Sequence, residues 1–510
     1  MRPHILFVAA EAAPLAKTGG LGDVVGALAD ALNGDGIRTS ILMPGYPSAL
    51  AQLELLKPCG WITTLPGREA GLWRGLMPDS NVEVILLRDD DLFCRPGGPY
   101  LDIDGREYAD NALRFAALGH AAAIIASGGT EIEVPQVVHA HDWHAGLVPL
   151  LMRHYGSKAR SVFTIHNLAF QGNYPLELAE ACGVPAHARE DGSVEYWGQL
   201  SFMKAALNYA DRISTVSDTY AQEILTPEFG AGFDGMLRQR VRDLVAVPNG
   251  IDTECWNPAE DELIARNFSQ DDLRGKHACK RELQKTFGLP FDPFAPLLAM
   301  GSRLTGQKMA DVAIEAFPAL LAAHPRLQIA VLGCGDREIE EGLRALALAY
   351  PARLAVHIGY DEAHAHCLHA GADMLLHGSR FEPFGLTPLY AMRYGTVPVA
   401  SRLGGLADTI LDAGDVSAPV AGATGFLFSG ETAEDMISAV DRALAMFAQP
   451  QCWRALQRAD MAIDAGWEKS SQRYIELYRT LIEEPAQALF QPVSRERHPR
   501  SPEQASMMRA

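Results

Sequence analysis

Two stretches in the first half of the chain and two in the second bring together residue types that do chemistry, and a third in the first half adds a polar pair. Lys17-Thr18-Gly19-Gly20-Leu21-Gly22-Asp23 sets a cation and three glycines ahead of a helical pattern. Glycine lets a backbone approach a ligand closely and a helix start offers unpaired N–H groups, so Lys17, Gly19 and Gly20 suit a phosphate. An ordinary structural turn has the same composition, and the Walker spacing G-x-x-x-x-G-K-[ST] is absent. His139-Ala140-His141-Asp142-Trp143-His144 crowds three histidines and a carboxylate onto a strand end. That set is open to metal binding, acid–base work, sugar contact or plain hydrogen-bonded lining of a pocket. Strand alternation puts 139 and 141 on one face and 142 and 144 on the other, so a three-ligand metal site requires a bend, and metal is the less favoured option. Phe163-Thr164-Ile165-His166-Asn167 ends a further strand with a polar pair able to read a sugar hydroxyl.

In the second half, Gly301-Ser302-Arg303-Leu304-Thr305-Gly306-Gln307-Lys308 places two cations at one strand end. Arg303 and Lys308 either neutralise a diphosphate leaving group as its charge develops or are solvated surface residues. Ser379-Arg380-Phe381-Glu382-Pro383-Phe384-Gly385-Leu386-Thr387 precedes a helical pattern, and the amides around Gly385, Leu386 and Thr387 favour an anion. Glu382 is either a capping carboxylate or a contact to a sugar hydroxyl beside the reacting carbon.

The elements that must carry these residues are short apolar strands alternating with helices. Strands are expected over residues 5–9, 40–43, 82–87, 137–141, 161–165 and 212–216, with a helix over 23–32. A turn-rich passage around Pro248-Asn249-Gly250-Ile251-Asp252 leads into a polar, weakly periodic connector. A second set of strands is expected over 297–300, 328–332, 354–358, 374–376 and 397–400. The fold class is therefore α/β, with two Rossmann-like, doubly wound domains facing an interdomain cleft. The expected division is 1–255, a connector over 256–295, 296–455, and a C-terminal helical segment over 456–485 that packs back on the first domain. Residues 486–510 lose periodicity and gain Pro, Ser, Arg and Gln, so disorder is expected there.

Composition excludes several classes of partner. With 44 basic against 63 acidic residues the formal charge is −19, which repels nucleic acid and anionic lipid, so any anionic ligand needs a local basic pocket. The eight cysteines show no C-x-x-C pair, hence neither zinc spacing nor a disulfide framework. No run reaches the ~18 apolar residues of a membrane span, and the apolar run of about six residues in the opening MRPHILFVAAEAAP is too short for a signal-peptide core. No membrane partner is expected, and the location expected is cytoplasmic.

Taken together, K-T-G-G-L at Lys17–Leu21, H-A-H-D-W-H at 139–144 and P-N-G-I-D at 248–252 resemble the bacterial glycogen synthase and plant starch synthase family. The resemblance runs over about residues 3–482 and takes in Ser302–Lys308, 382–395 and Gly404-Gly405-Leu406-Ala407-Asp408-Thr409. It implies a retaining glucosyltransferase of GT-B architecture that moves glucose from ADP-glucose to the non-reducing end of an α-1,4-glucan such as glycogen, with no cofactor and no metal. Carried onto this chain, it implies Lys17, Gly19 and Gly20 near the donor phosphates and Arg303 and Lys308 on the departing diphosphate. It further implies Asp142, His166, Asn249 and Glu382 around the transferred glucose, Gly385–Thr387 amides on phosphate, and Tyr360 against the adenine.

The chain departs from the family pattern at Phe384 (usually Cys), Pro388 (Gln), Met309 (Gly), Phe170 (Tyr) and Gly378 (Pro). These departures keep two further readings in play, the same transfer with UDP-glucose or a short maltooligosaccharide, and a weakened glucan-binding paralogue. A dinucleotide oxidoreductase lacks its G-x-G-x-x-G fingerprint. The sequence says nothing of oligomeric state.

Overall fold

A computed structural model describes residues 2–485 apart from residue 79; the expected disordered tail, 486–510, lies outside the described residues. By contact density the chain divides into two compact units. Among the described residues the first comprises 2–18, 36–213 and 478–485, and the second Gly19–Asp35 and Ser214–Leu477. The expected boundaries at 255, 295 and 455 follow the strand pattern alone. Residues 19–35 and 214–477 group with the second unit and 478–485 with the first.

In chain order the strands are β1 (His4–Val8), β2 (Arg38–Pro44), β3 (Glu54–Leu65), β4 (Arg68–Leu76), β5 (Glu83–Arg88), β6 (Val137–His141), β7 (Arg160–Ile165), β8 (Asn173–Pro175), β9 (Glu195–Tyr196), β10 (Gln199–Ser201), β11 (Arg212–Thr215) and β12 (Leu244–Ala246). The larger sheet has the order β12-β11-β7-β6-β1-β2-β5-β4-β3, and β8, β10 and β9 form a small separate sheet. β1 pairs in parallel with β2 and β6, and β6 with β7. Every residue of β1 and of β6 is buried, as the near-continuous apolar runs of a covered parallel sheet require. Chain order reverses between β1 and β6, and ligands of such sheets bind beyond the carboxyl ends of the strands at that reversal.

The second unit carries β13 (Leu297–Gly301), β14 (Gln328–Gly333), β15 (Leu354–Ile358), β16 (Met374–His377), β17 (Val397–Ser401) and β18 (Phe426–Phe428). Their order is β15-β14-β13-β16-β17-β18, with every pair parallel. The reversal here falls between β13 and β16. Leu298, Ile329, Val331, Leu376 and Val399 pack with Val312, Phe317, Val440 and Leu444 of the covering helices into one core.

Three features differ from, or add to, the sequence expectation. The helix expected over 23–32 spans Gly20–Gly34, because Gly20 and Gly22, of poor helix propensity, are drawn with Leu21 into its first turn. The hairpin β3–β4 carries repeated register shifts, and the exposed, irregular pattern of β3 has no clean alternation to recognise. The polar connector contains helix Arg274–Thr286, which buries Lys276 and Lys280 alongside Cys279 and Leu283. Lys280 Nζ lies 2.6 Å from Asp373 Oδ2, and Lys276 Nζ donates to Tyr394 O at 2.8 Å and Thr396 Oγ1 at 2.7 Å. Among the described residues no helix is long and apolar enough to cross a membrane.

Candidate functional site

Each unit gathers polar side chains at the carboxyl ends of its central strands. In the first unit, the chain leaves β1 through Ala9 and Ala10 to Glu11, whose side chain is 2 % exposed. Glu11 accepts from the Thr18 N–H at 2.5 Å, the Thr18 hydroxyl at 2.6 Å and the Tyr100 hydroxyl. Paired Ala12–Ala16 backbone bonds close the loop between. The carboxylate thus holds the segment bearing half-buried Lys17.

Beyond β6 the backbone turns at Asp142, with φ 61° and ψ 178°. Its N–H donates to Thr164 O at 2.9 Å, and its carboxylate accepts the Asn167 N–H at 3.4 Å. Burial pushes the Asp142 carboxyl up to about 7, against the backbone N–H bonds of Asn167, His166 and Trp143 that favour its ionised form. The bend that a metal set requires is present at Asp142. Among the described residues, however, no group of three or more His, Cys, Asp or Glu side chains is disposed to hold a metal ion.

The histidines divide by role. His139 is tied at both ring nitrogens, to the Tyr478 hydroxyl at 2.7 Å and the Thr164 hydroxyl at 2.5 Å. His144 stacks on Tyr100 with ring centroids 4.5 Å apart. His141 Nδ1 lies 3.1 Å from His166 Nε2, so one neutral ring donates to the other. Burial holds His139, His141 and His144 well below the usual imidazole range and His166 at about 3, so all four are neutral near pH 7. His141 backs His166, the half-buried member at the strand end.

In the second unit the loops after β13 and β16 are bound to each other. The Arg380 N–H donates to Gln307 O at 2.9 Å, Gln307 Nε2 donates to Phe381 O at 3.2 Å, and the Arg380 guanidinium bridges to Asp311 at 2.9 and 3.0 Å. Within this frame Lys308 Nζ forms an ion pair with Glu382 Oε2. The same oxygen accepts from the Ser379 hydroxyl at 2.9 Å and lies 3.0 Å from His377 Nε2. Burial raises the Glu382 carboxyl, but Lys308 and His377 outweigh it and hold the group well below the usual carboxylate range. Glu382 is ionised and Arg303, exposed, reaches Gln307 Oε1 at 2.9 Å.

Helix Leu386–Arg393 starts from Gly385, whose φ of 91° is left-handed. The start of helix Gly20–Gly34 adjoins it, since a Cβ on Gly20 would lie 3.0 Å from Leu386 Cδ1 and the Tyr390 hydroxyl reaches Asp23 Oδ2 at 3.4 Å. Two helix amino ends, those of Gly20 and of Leu386–Thr387, therefore come together, each with first-turn N–H groups that lack intrahelical partners. Behind them Gly404 has φ 45°, and a Cβ there would stand 1.8 Å from Glu382 O. The Asn249 Oδ1 is buried with no hydrogen-bond partner, which leaves an acceptor unsatisfied. Tyr360, 63 % exposed, follows β15, two strands from β13 and so about 10 Å across the sheet. Phe384 is 4 % exposed, so its ring is packed into the unit.

Thus Asp142 and His166 stand together in the first unit, where Lys17 is carried on the loop that Glu11 pins. Arg303, Lys308, Glu382, Gly385, Leu386 and Thr387 are gathered in the second, which also holds Gly19, Gly20, Asn249 and Tyr360. Sequence reasoning passed over Glu11, Tyr100, His377, Asp311 and the bridging role of Arg380. An acidic residue directly after the apolar run at residues 5–10 was the one available signal for Glu11.

Comparison with known proteins gives a consistent result. Residues 4–239 match the family model for the starch synthase catalytic domain, and residues 285–455 that for glycosyl transferases group 1. The chain is 57 % identical over 482 residues to a glycogen synthase of Ralstonia nicotianae, covering 94 % of this chain and 88 % of the relative. It is 53 % identical over 488 residues to a glycogen synthase of Bordetella petrii, covering 95 % and 94 %. Among solved structures, the catalytic domain of starch synthase IV from Arabidopsis thaliana, bound to ADP and acarbose, superposes with a TM-score of 0.86 at 29 % identity, over 95 % of this chain and 100 % of that one.

Proposed function

This chain belongs to the glycogen synthase family of GT-B glycosyltransferases, and from that premise we propose that it transfers glucose from ADP-glucose to the non-reducing end of an α-1,4-glucan, with Lys308, Arg303 and Glu382 at the donor. The observation that carries the assignment of residues is the Lys308–Glu382 ion pair at the strand-order reversal of the second unit, beside two converging helix amino ends.

A retaining transfer must break the bond from the anomeric carbon to the diphosphate and form the new bond to the acceptor hydroxyl on the same face. The acceptor proton passes to an oxygen of the departing diphosphate, so no separate enzymic base is needed. What the protein supplies is stabilisation of the charge developing on that diphosphate. Lys308 and Arg303 are the cations for it, and the amides of Gly19 and Gly20 and of Gly385, Leu386 and Thr387 are the preorganised donors. In this reading the cations and amides meet the charge without a metal.

Ionised Glu382 orients the Lys308 ammonium and offers a carboxylate to a glucose hydroxyl. Asn249 Oδ1 accepts from another hydroxyl, and Tyr360 lies where the sheet spacing supports an adenine contact. Lys17 is assigned to the donor phosphates. Asp142 and neutral His166 are assigned to the transferred glucose, His166 because an imidazole that stays uncharged can hydrogen-bond a glucose hydroxyl without setting a positive charge beside the developing cationic carbon. Glycogen is the acceptor by this reading. The packed ring of Phe384 supports ADP-glucose over a changed donor, because the side chain that departs from the family pattern points into the core.

The reading is tested by following nucleoside diphosphate release with ADP-glucose and UDP-glucose, on glycogen and on a maltooligosaccharide. It expects ADP release that depends on glucan, with UDP-glucose a poor substitute. Release of neither diphosphate, alongside binding of glycogen, favours the weakened paralogue.

A further inference from the structure

Met309 is a buried side chain on a backbone that suits glycine. It is 0 % exposed, directly follows Lys308, and adopts φ 51° and ψ 31°, the left-handed region that disfavours a side chain. It is also the N-cap of helix Ala310–Ala323, to which it gives no side-chain cap. Something else must hold it there.

Two contacts do so. The Ser401 hydroxyl donates to Met309 Sδ at 3.6 Å. Gly378 supplies the space, since a Cβ at that position would lie 3.1 Å from Met309 Cβ, 3.5 Å from its Sδ and 3.2 Å from Met436 Cε. From Ser401 the connection returns to the ion pair. The Ser379 N–H donates to Ser401 Oγ at 2.8 Å, and the Ser379 hydroxyl donates to Glu382 Oε2 at 2.9 Å. Glu382 pairs with Lys308, and Lys308 is bonded to Met309. The result is a closed ring of contacts, Lys308, Met309, Ser401, Ser379, Glu382 and back to Lys308.

We propose that Met309 is a positioning residue for the transfer step, its thioether seated opposite Gly378 and held by Ser401 so that the left-handed turn fixes the direction in which Lys308 meets Glu382. This rests on the reading of Lys308 as a donor-site cation. Met309 and Gly378 act as one coupled pair, because the volume of the first occupies the absence of a side chain at the second.

The test uses the full chain with Met309→Leu, Met309→Gly, Gly378→Ala and the double change Met309→Gly with Gly378→Ala. For each variant kcat, KM for ADP-glucose and for glycogen, and the thermal midpoint are measured. Met309→Leu keeps the volume and removes the sulfur acceptor. It is expected to lower kcat about twofold, the rate equivalent of a weak hydrogen bond to a thioether, with KM for glycogen unchanged and the midpoint nearly so. Gly378→Ala alone is expected to lower kcat by at least about tenfold, and adding Met309→Gly to recover it to within about threefold of Met309→Gly alone. Strictly additive effects, or a Met309→Leu enzyme with wild-type kcat, overturn the proposal. A Lys308→Ala enzyme run in parallel separates the two failures. If it is as active as the wild type, the donor-site reading fails, and if it is inactive while the pair shows no coupling, only the role of Met309 fails.

Discussion

Lys308, from the loop after β13, and Glu382, from the loop after β16, form an ion pair across the point where the strand order of the second unit reverses. The ammonium is thereby held at one place before any ligand arrives, which is the preorganisation that electrostatic stabilisation of a leaving group requires. Lys308→Ala is expected to lower kcat by about 10²–10³, the usual cost of one such donor. Steady-state rates with ADP-glucose and glycogen check this, and a change of KM alone contradicts it.

Glu382→Gln removes the charge that the Lys308 ammonium, the Ser379 hydroxyl and the His377 ring all meet. The expected outcome is a loss of about 1–3 kcal/mol of stability together with a fall in kcat, because a largely buried cation is left without its anion. Denaturant unfolding measured beside the rate tests both parts. Retained stability with lost activity indicates that Glu382 serves the substrate and not the lysine.

Much of this site was legible in the sequence and part was not. Strand-end motifs are readable because a buried parallel strand is a short apolar run, and the polar residues just after it stand out, as with Arg303 after β13 and His166 after β7. Contacts between loops distant in sequence have no such signature. Arg380 bridges to Asp311 across 69 positions and Ser401 meets Met309 across 92, and nothing local in the sequence marks either. Met309 and Gly378 were visible as two separate departures from a family pattern, but not as neighbours. The helix start at Gly20 was hidden by the low propensity of the glycines that form its first turn.

Asp142 carries a pH signature. Its carboxyl is raised from 3.8 to about 7 in the folded protein. A raised acid contributes stability that is fully present below the unfolded value and is lost as pH rises through the folded one. The wild type should therefore lose stability relative to Asp142→Asn between about pH 4 and pH 7. Thermal midpoints of both proteins across pH 4–8 measure this, and a constant difference contradicts the burial of the carboxyl.

Gly404→Ala places a methyl where Glu382 O stands, at a residue with φ 45°. Since the backbone of Glu382 must shift to admit it, activity is expected to fall by at least about 10²-fold, as roughly ångström-scale misplacement of a catalytic group does. The circular dichroism of the fold should be retained. Wild-type rates in this variant contradict the placement of Glu382.

Retaining glucosyl transfer from ADP-glucose to glycogen can be read directly in the product. The most direct measurement supplies ADP-glucose labelled in the glucose to the purified protein with glycogen, and reads both ADP release and the anomeric configuration of the new linkage by NMR. One ADP is expected to be released for each glucose incorporated, with every new linkage α-1,4. Label that stays on the donor, or a β linkage in the product, contradicts it.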